Sequence, residues 1–232
     1  MQYKGFSVEK LQVAAFDWDN TLVCSREALV YSINQILPLY GLPAWEEVKN
    51  RRDRNLSFRD NFPRIFGNKA EEAYEKYRQV YLKYAPRFLK TADAAPDVLH
   101  FLQSKGVKII VVSNKDRFLF DFELPLLYDS NLFVRTVCGH EAAKDKPFPE
   151  QLEFAAAGLA DEITPDKVWM IGDSPMDSRC ALAAGAKAVR IGHPIWDTAE
   201  EAESDAVSFV TDFKLFLRIL REQNACGTGQ NI

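Results

Sequence analysis

The chain has 232 residues, of which 47% are hydrophobic and 27% charged, a composition that can bury a sizeable core and excludes a disordered tail. Its formal net charge of -4 gives no overall attraction to nucleic acid or to anionic membrane surfaces, so neither is predicted as a partner. The sequence lacks a run of about 18 uncharged apolar residues, which predicts a soluble, cytoplasmic protein. The cysteines are far apart and form no C-x-x-C pair, which favours reduced thiols over a zinc or redox site. They are Cys24, Cys138, Cys180 and Cys226.

Short, continuously apolar runs rich in Val, Ile and Phe recur along the chain, as is typical of buried strands in a parallel sheet. These runs are residues 11–16, 107–112, 134–138, 168–172, 187–192 and 206–210. Helical segments lie between them, for example residues 95–106, where Pro96 lies near the start and Gly106 at the end. The alternation predicts an α/β fold built on a doubly wound parallel sheet.

One long interval, residues 24–90, interrupts this alternation with helical periodicity and no convincing strand. Because it is too long for an ordinary connection, it is predicted to be a helical cap inserted after the first strand. Its tyrosines lie on one helical stripe, which we interpret as packing within the cap rather than as a ligand-stacking surface. They are Tyr74, Tyr77, Tyr81 and Tyr84. The predicted domains are a core of residues 1–23 and 91–222, a cap of residues 24–90 and a flexible tail of residues 223–232.

Polar residues follow three of the predicted strands at the point where each strand ends. They are Asp17, Asp19 and Thr21, then Ser113, Asn114 and Lys115, then Asp173, Ser174 and Asp177. Because the carboxyl ends of parallel strands share one edge of the sheet, these groups and Lys146 are expected to converge in a crevice. Several carboxylates there would repel each other unless a cation such as Mg²⁺, which prefers oxygen ligands, neutralised them. A metal beside hydrogen-bond donors suits a phosphoryl group.

Four short motifs occur in the order typical of one family: "DWDNT", "VVSNK", the lysine of "DKPFP" and "GDSPMDSRCALAAG". Over residues 10–222 the sequence resembles the haloacid dehalogenase superfamily. The resemblance is to the branch with a helical cap after the first strand, which includes phosphoglycolate phosphatase-like enzymes.

The resemblance implies a role for each acid. Asp17 is the expected nucleophile that forms a transient aspartyl-phosphate. Asp19 is expected to protonate the leaving oxygen and then to activate water. Mg²⁺ is expected to bind the side chains of Asp17 and Asp173 and the backbone carbonyl of Asp19. Ser174 and Asp177 are expected to support the metal's waters or Lys146 without binding the metal directly.

The phosphoryl oxygens are expected to be held by Ser113, Asn114 and Lys146, with Thr21 orienting the loop of the phosphate site. In the cap, an arginine-rich run offers Arg54 and Asn55 as candidates for reading a substrate carboxylate or second phosphate, although such a run is also typical of a solvated helix face.

Two positions depart from the family's usual residues. Asn20 stands where glycine is common, and asparagine tolerates the left-handed backbone that such a turn requires. Asp145 replaces a glycine before Lys146 and adds a negative charge near the phosphate site, or else points elsewhere. The histidines His100, His140 and His193 receive no catalytic role.

The sequence therefore predicts a Mg²⁺-dependent phosphatase, expected to be monomeric, that hydrolyses a small phosphorylated metabolite. A phosphotransferase or mutase on the same scaffold is the alternative within enzymes. Dehalogenase chemistry is disfavoured because it needs no metal and would leave Asp19 and Asp173 unexplained. A non-catalytic binding protein is the alternative from another class, and its expected mark, loss of Asp17, Asp19, Lys146 or Asp173, is absent from the sequence.

Overall fold

The computed structural model describes residues 5–192 and 207–225. Within them, a parallel sheet and a small antiparallel ribbon contain the strands β1 (Val13–Phe16), β2 (Val23–Cys24), β3 (Lys90–Thr91), β4 (Lys108–Val112), β5 (Arg135–Val137), β6 (Val168–Gly172), β7 (Lys187–Ile191) and β8 (Val207–Val210). The strand order across the parallel sheet is β5, β4, β1, β6, β7, β8. The predicted α/β fold with a doubly wound parallel sheet is confirmed, and each of the predicted apolar runs contains one of its strands.

The described α-helices are α1 (Arg26–Ile36), α2 (Trp45–Val48), α3 (Phe62–Phe66), α4 (Ala70–Tyr84), α5 (Ala95–Ser104), α6 (Arg117–Leu127), α7 (Glu150–Ala156), α8 (Pro175–Ala183) and α9 (Phe213–Asn224). Short 3-10 turns occupy Leu37–Tyr40, Lys49–Arg51, Arg59–Asn61, Gly67–Lys69, Ala85–Arg87 and Ser130–Leu132. Of the described helices, none has both the length and the apolar character that crossing a membrane requires.

Side chains of the central strand β1 alternate between two apolar clusters. Ala14 and Phe16 pack in the cluster that includes residues of α5 and α9. Val13 and Ala15 pack in the cluster that includes residues of α7 and α8. All four side chains are fully buried. Because helices cover both faces of the sheet, its strands need apolar residues on both sides, which explains why the runs are continuously apolar rather than alternating.

Helices α1 to α4 lie between β2 and β3 and form a third apolar cluster of their own. We call residues 24–90 the cap. Tyr77 and Tyr81 are buried in this cluster and Tyr74 packs against it, as the packing interpretation of the stripe expected. The buried side chain of Leu119, on α6 of the core, belongs to the same cluster. The cap therefore packs against α6.

The antiparallel ribbon at the base of the cap was not predicted from the sequence. Val23 pairs with Thr91, and Cys24 pairs with Lys90. Strands of two residues carry no periodic hydrophobic signal, so the pattern over residues 24–90 shows only helices. The pairing exists because the chain enters and leaves the cap at the same place.

Helix α9 extends to Asn224, two residues into the segment 223–232 that the sequence assigned to a tail. The side-chain oxygens of Gln223 and Asn224 each accept a hydrogen bond of 2.9 Å, from the backbone N–H groups of Phe6 and Val8. These bonds join the two ends of the described chain. His193 and residues 226–232 of the predicted tail, which include Cys226, lie outside the described residues.

Candidate active site

The carboxyl ends of β1, β4 and β6 place Asp17, Ser113 and Asp173 on neighbouring strands at one edge of the sheet. The N–H of Asp17 donates to the carbonyl of Ile171 at 2.9 Å, so this residue still belongs to the ladder of sheet hydrogen bonds. Its side chain therefore has a fixed direction. The structure thus brings the first residue of each predicted strand-end group into one crevice, as the sequence analysis expected.

Lys146 is the central cation of this crevice and is almost fully buried. Its ammonium lies 2.7 Å from Asp17 Oδ1 and 2.6 Å from Asp177 Oδ1, and it donates to the carbonyl of Val112 at 2.8 Å. Burial by itself would lower the pKa of Lys146, but the carboxylates of Asp17 and Asp177 raise it above its ordinary value. Lys146 is therefore a permanent positive charge beside Asp17.

The buried carboxylates carry more negative charge than Lys146 can balance. Burial raises the pKa of Asp17 to about 6, against the opposing effect of Lys146. Burial also raises the pKa of Asp173 well above its ordinary value, and the charges of Asp17 and Asp177 add to the rise. Without a further cation, these acids would bind protons and become neutral. They would then no longer act as anionic nucleophiles or metal ligands.

The same carboxylates suit a divalent metal ion. One oxygen from each of Asp17, Asp173 and Asp177 lies within 4.8 Å of the others. Asp173 Oδ2 is buried and accepts no hydrogen bond. A buried charged oxygen without a partner is costly, and a hard cation with oxygen ligands would supply that partner. The donor set is entirely oxygen and therefore fits Mg²⁺ better than a softer metal.

Asp177 also fixes the start of α8. Its second oxygen, Oδ2, accepts hydrogen bonds from the Ser174 N–H at 3.0 Å and from the Ser174 hydroxyl at 2.6 Å. A Cβ atom at Gly172 would lie 2.3 Å from Asp177 Cγ, so only glycine allows this approach. The sequence analysis gave Gly172 no role; the signal was the glycine directly before Asp173 at the end of a strand.

Asn114 is placed at the site, but its carboxamide is used within the protein. Its Nδ2 donates to the Lys146 carbonyl at 2.7 Å, and its Oδ1 accepts from the Lys146 N–H at 3.1 Å. Asn114 therefore orients the backbone of Lys146.

The Thr21 hydroxyl lies 3.3 Å from Asp17 Oδ2 and 3.4 Å from Asp173 Oδ1, between the two acids. Asn20 has a left-handed φ of 62°, as the sequence analysis expected.

Asp19 is held by a residue to which the sequence analysis assigned no task. The ammonium of Lys115 lies 2.8 Å from Asp19 Oδ1 and 3.1 Å from Oδ2. The Lys115 side chain is 7% exposed, whereas that of Asp19 is 32% exposed and faces the crevice. Lys115 follows Ser113 and Asn114 at the end of β4, so the position was visible in the sequence although its partner was not.

A cavity of about 160 Å³ lies between this edge of the sheet and the cap. The core contributes Asp17, Asp19, Ser113, Lys115, Lys146, Asp173 and Ser174 to its lining, among others. The cap contributes Leu29, Arg52, Leu56, Ser57, Phe58, Arg59, Tyr74 and Tyr77. The cap therefore adds two cations and an apolar wall to the acidic crevice of the core.

The predicted substrate-reading residues lie outside this cavity. Arg54 and Asn55 are exposed, and Asn55 Oδ1 accepts a hydrogen bond from Arg179 on α8 at 2.7 Å. Arg52 and Arg59, from the same arginine-rich run, line the cavity instead. The run is not a regular helix, so the positions that face inward could not be read from helical spacing.

Arg52 and Arg59 are held in different ways. The Arg52 guanidinium carbon lies 5.5 Å from the centroid of the Trp45 ring and 5.7 Å from that of Phe58, at cation–π distance. Burial lowers the pKa of Arg52, and the neighbouring charge of Arg54 adds to this. Arg59 Nε lies 3.0 Å from Asp60 Oδ1, and its Nη2 lies 3.5 Å from Asp145 on the core.

Asp145 contacts the cap and does not line the cavity. Its Oδ1 accepts a hydrogen bond of 2.8 Å from the backbone N–H of His140, and its Oδ2 faces Arg59. His140 Nε2 lies 3.4 Å from Asp60 in the cap. Of the two possibilities left open by the sequence, a charge beside the phosphate or a side chain that points elsewhere, these contacts agree with the second: Asp145 takes part in contacts between cap and core.

The geometry agrees with the comparisons to known proteins. A family model described as haloacid dehalogenase-like hydrolase matches residues 14–191. The chain belongs to this family. Among curated haloacid dehalogenase-like relatives, the phosphoglycolate phosphatase of Aquifex aeolicus (strain VF5) is 29% identical over 178 residues, which cover 76% of this chain and 83% of that protein. Pyrophosphatase PpaX of Bacillus cereus (strain Q1) is 25% identical over 220 residues, which cover 93% of this chain and 99% of that protein.

The fold is also found among solved structures. CbbY from Rhodobacter sphaeroides, in complex with phosphate, aligns with a TM-score of 0.71 at 17% identity and covers 88% of this chain and 95% of that chain. At this identity the likeness concerns the fold alone. Together with the family match and the curated relatives, it confirms the expected resemblance to phosphoglycolate phosphatase-like haloacid dehalogenase hydrolases.

Proposed function

We propose that this haloacid dehalogenase-like hydrolase is a Mg²⁺-dependent phosphatase that acts on a small phosphate monoester through an aspartyl-phosphate. The observation that carries the proposal is the buried set of Asp17, Asp173 and Lys146, in which an oxygen of Asp173 has no partner. Such a set fits one metal ion and one phosphoryl group more closely than it fits a structural role, because it is electrostatically strained in their absence.

Asp17 is the proposed nucleophile. One of its carboxylate oxygens attacks phosphorus, the bond from phosphorus to the ester oxygen breaks, and Asp19 gives its proton to the departing alkoxide. Asp19 then takes a proton from a water molecule, whose oxygen attacks the phosphorus of the aspartyl-phosphate and returns Asp17 as a carboxylate. Ser113 is the proposed donor to the phosphoryl oxygens, and Lys146, whose ammonium donates to Asp17, Asp177 and the Val112 carbonyl, is proposed to attract them by its charge. Ser113 and Lys146 both line the cavity within reach of Asp17.

The metal would be held by the carboxylates of Asp17 and Asp173 and by the backbone carbonyl of Asp19. When bound, Mg²⁺ offsets the negative charge that develops on the phosphoryl oxygens. Asp177, which accepts hydrogen bonds from Ser174 and faces Lys146, would keep these groups in place without binding the metal. We further propose that residues 24–90 act as the cap domain of a monomer.

The cavity supports a small substrate with a second anionic group. Its volume of about 160 Å³ can hold a phosphoryl group together with a small organic group. Arg52 adds positive charge on the cap side, where a carboxylate or second phosphate would lie, whereas the charge of Arg59 is offset by Asp60 and Asp145. Two of the curated relatives are named for phosphoglycolate and for pyrophosphate, each of which carries a second anionic group next to the phosphoryl group.

Phosphate release from a panel of compounds tests the reaction. The panel contains 2-phosphoglycolate, glycerol 3-phosphate and pyrophosphate, each with Mg²⁺ and again with a chelator. We expect release with Mg²⁺, none with the chelator, and none by Asp17→Asn. The matched control is Asp121→Asn, an exposed acid on α6, which should retain full activity. If Asp17→Asn turned over like the control, the nucleophile would be another group.

A second experiment tests how the substrate is read. Arg52→Ala should raise KM for the preferred dianionic substrate by about tenfold or more and change turnover of acetyl phosphate little, since a charge-assisted hydrogen bond to the second anion is lost. Arg54→Ala removes an exposed neighbour of the same type and should leave both values unchanged. Equal effects of the two variants would show that Arg52 does not contact the substrate.

A further inference from the structure

A glutamate with no exposed surface lies under the cap. Glu123, on α6, is 0% exposed, although acidic side chains are rarely buried without partners. Its Oε1 accepts a hydrogen bond from the Tyr81 hydroxyl at 2.6 Å and lies 2.8 Å from Lys115 Nζ, and its Oε2 accepts from Trp18 Nε1 at 2.7 Å. The ammonium and the indole can only donate, so the carboxyl oxygens of Glu123 accept from both. Burial raises the pKa of Glu123, and the charge of Lys115 opposes that rise.

Glu123 is one of two carboxylates that hold the same ammonium. Lys115 Nζ lies 2.8 Å from Glu123 and 2.8 Å from Asp19. A lysine has a long flexible stem, and one exposed partner would leave its ammonium free to move. The buried Glu123 removes that freedom, and the fixed ammonium in turn orients the Asp19 carboxylate. Burial would lower the pKa of Lys115, but Asp19 and Glu123 raise it, so the ammonium stays charged.

The same glutamate also fixes the backbone that carries the acids. Trp18 lies between Asp17 and Asp19 in the sequence, and its indole is fully buried, 4.6 Å from the ring of Phe120 on α6. Its N–H donates to Glu123 Oε2. Glu123 therefore acts on Asp19 from two sides, through the lysine that contacts its carboxylate and through the residue that precedes it.

The third partner of Glu123 comes from the cap. Tyr81 lies on α4, and its hydroxyl donates to the same oxygen that faces Lys115. The Lys115 ammonium also lies 5.2 Å from the centroid of the Tyr81 ring. A displacement of α4 would remove a donor from Glu123 and a ring from beside Lys115. The position of the cap is thus linked by direct contacts to the carboxylate of Asp19.

We propose that Glu123 is a positioning residue for Asp19, acting through Lys115 and Trp18, and that Tyr81 makes this arrangement depend on the position of the cap. The inference rests on the proposed function, in which Asp19 gives a proton to the leaving group. It predicts that a Glu123 variant loses more activity on a substrate whose leaving group must be protonated than on a substrate whose leaving group needs no proton.

The test compares two substrates in one variant. An alkyl phosphate such as glycerol 3-phosphate needs a proton on its leaving oxygen, whereas acetyl phosphate releases acetate, which does not. For both, kcat/KM covers only the steps up to transfer of the phosphoryl group. Glu123→Gln keeps the size of the side chain and removes its charge. We expect kcat/KM for the alkyl phosphate to fall by about tenfold or more and that for acetyl phosphate to change by less than about twofold.

The ratio of the two values does not depend on the folded fraction, because unfolded enzyme lowers both equally. Tyr81→Phe tests the cap contact. It should lower the ratio of kcat/KM for the alkyl phosphate to kcat/KM for acetyl phosphate by about two- to threefold, because it removes one of the hydrogen bonds to Glu123. Tyr40→Phe is its matched control, since the Tyr40 hydroxyl donates to Glu72 at 3.3 Å within the cap, and its ratio should be unchanged.

Equal losses on both substrates, or no loss, in Glu123→Gln would overturn the inference while leaving the phosphatase proposal intact. Should Glu123→Gln fail to fold, an unchanged ratio in Tyr81→Phe would overturn the cap link. A wild-type protein that releases phosphate neither from these two substrates nor from 2-phosphoglycolate and pyrophosphate would instead contradict the proposed function.

Discussion

Replacing the unpartnered acid of the site should make the metal-free protein more stable and inactive. Asp173 is 6% exposed, its Oδ2 has no partner, and burial raises its pKa, with Asp17 and Asp177 adding to the rise. Asp173→Asn removes the charge and keeps the shape. It also supplies an N–H₂ group that can donate to the neighbouring Asp17.

The expected gain follows from the cost of the unpartnered group. Leaving a buried polar group unsatisfied costs about 1 to 3 kcal/mol, and more for a charged group, while the new amide leaves some of its own hydrogen bonds unmade. We therefore expect the free energy of unfolding without metal to rise by about 1 to 3 kcal/mol. The gain should be smaller at low pH, where the wild-type carboxyl binds a proton and is already neutral.

Urea denaturation with a chelator and with excess Mg²⁺ measures both effects. Wild type should gain stability with Mg²⁺, by about 2.7 kcal/mol at a hundredfold excess over the dissociation constant, and Asp173→Asn should gain much less. Asp121→Asn, an exposed acid paired with Arg117 on α6, should change the free energy of unfolding by a few tenths of a kcal/mol at most. A metal-free Asp173→Asn protein less stable than wild type would refute the reasoning.

Three further changes have defined outcomes. Gly172→Ala should lower the free energy of unfolding by about 2 to 4 kcal/mol in urea, because its Cβ would displace Asp177 from the start of α8; loss of less than about 1 kcal/mol would contradict this. Asn20→Val should cost about 1 kcal/mol or more because φ is 62°, with Asn20→Gly as a neutral control. Since burial raises the pKa of Asp17 from 3.8 to about 6, the metal-free folded state binds the extra proton between those values. Stability should therefore fall by about 2 kcal/mol from pH 4 to pH 6 relative to Asp17→Asn, and parallel curves would contradict it.

Residues whose roles depend on a position along one strand were predictable. Asp17, Ser113 and Asp173 each follow a continuously apolar run, and parallel strands must bring such ends together. The left-handed backbone at Asn20 was implied instead by the family resemblance, in which glycine is common at this position. The inferences about the strand ends need only the period of the strand and the direction of the chain.

Residues whose roles depend on contacts between cap and core were not predictable. Arg52 and Arg59 could not be distinguished from Arg54, because the short turns between α2 and α3 have no periodic pattern from which an inward face can be read. The sequence left open whether Asp145 lies near the phosphate or points elsewhere, and only the structure shows that its carboxylate contacts Arg59 of the cap and the N–H of His140. A charge takes the partner that lies nearest in space, and sequence spacing does not give that distance.

The sequence by itself determined the parallel sheet, the helical insert and the chemistry of the acids at the strand ends, because these follow from local hydrophobic patterns and motif order. Only the tertiary structure decided which groups hold those acids. Lys115 and Glu123 are eight positions apart on β4's loop and α6, and they meet Asp19 and Tyr81, which are distant in the chain. Buried charges must find partners within about 3 Å, and only folding sets which side chains lie that close.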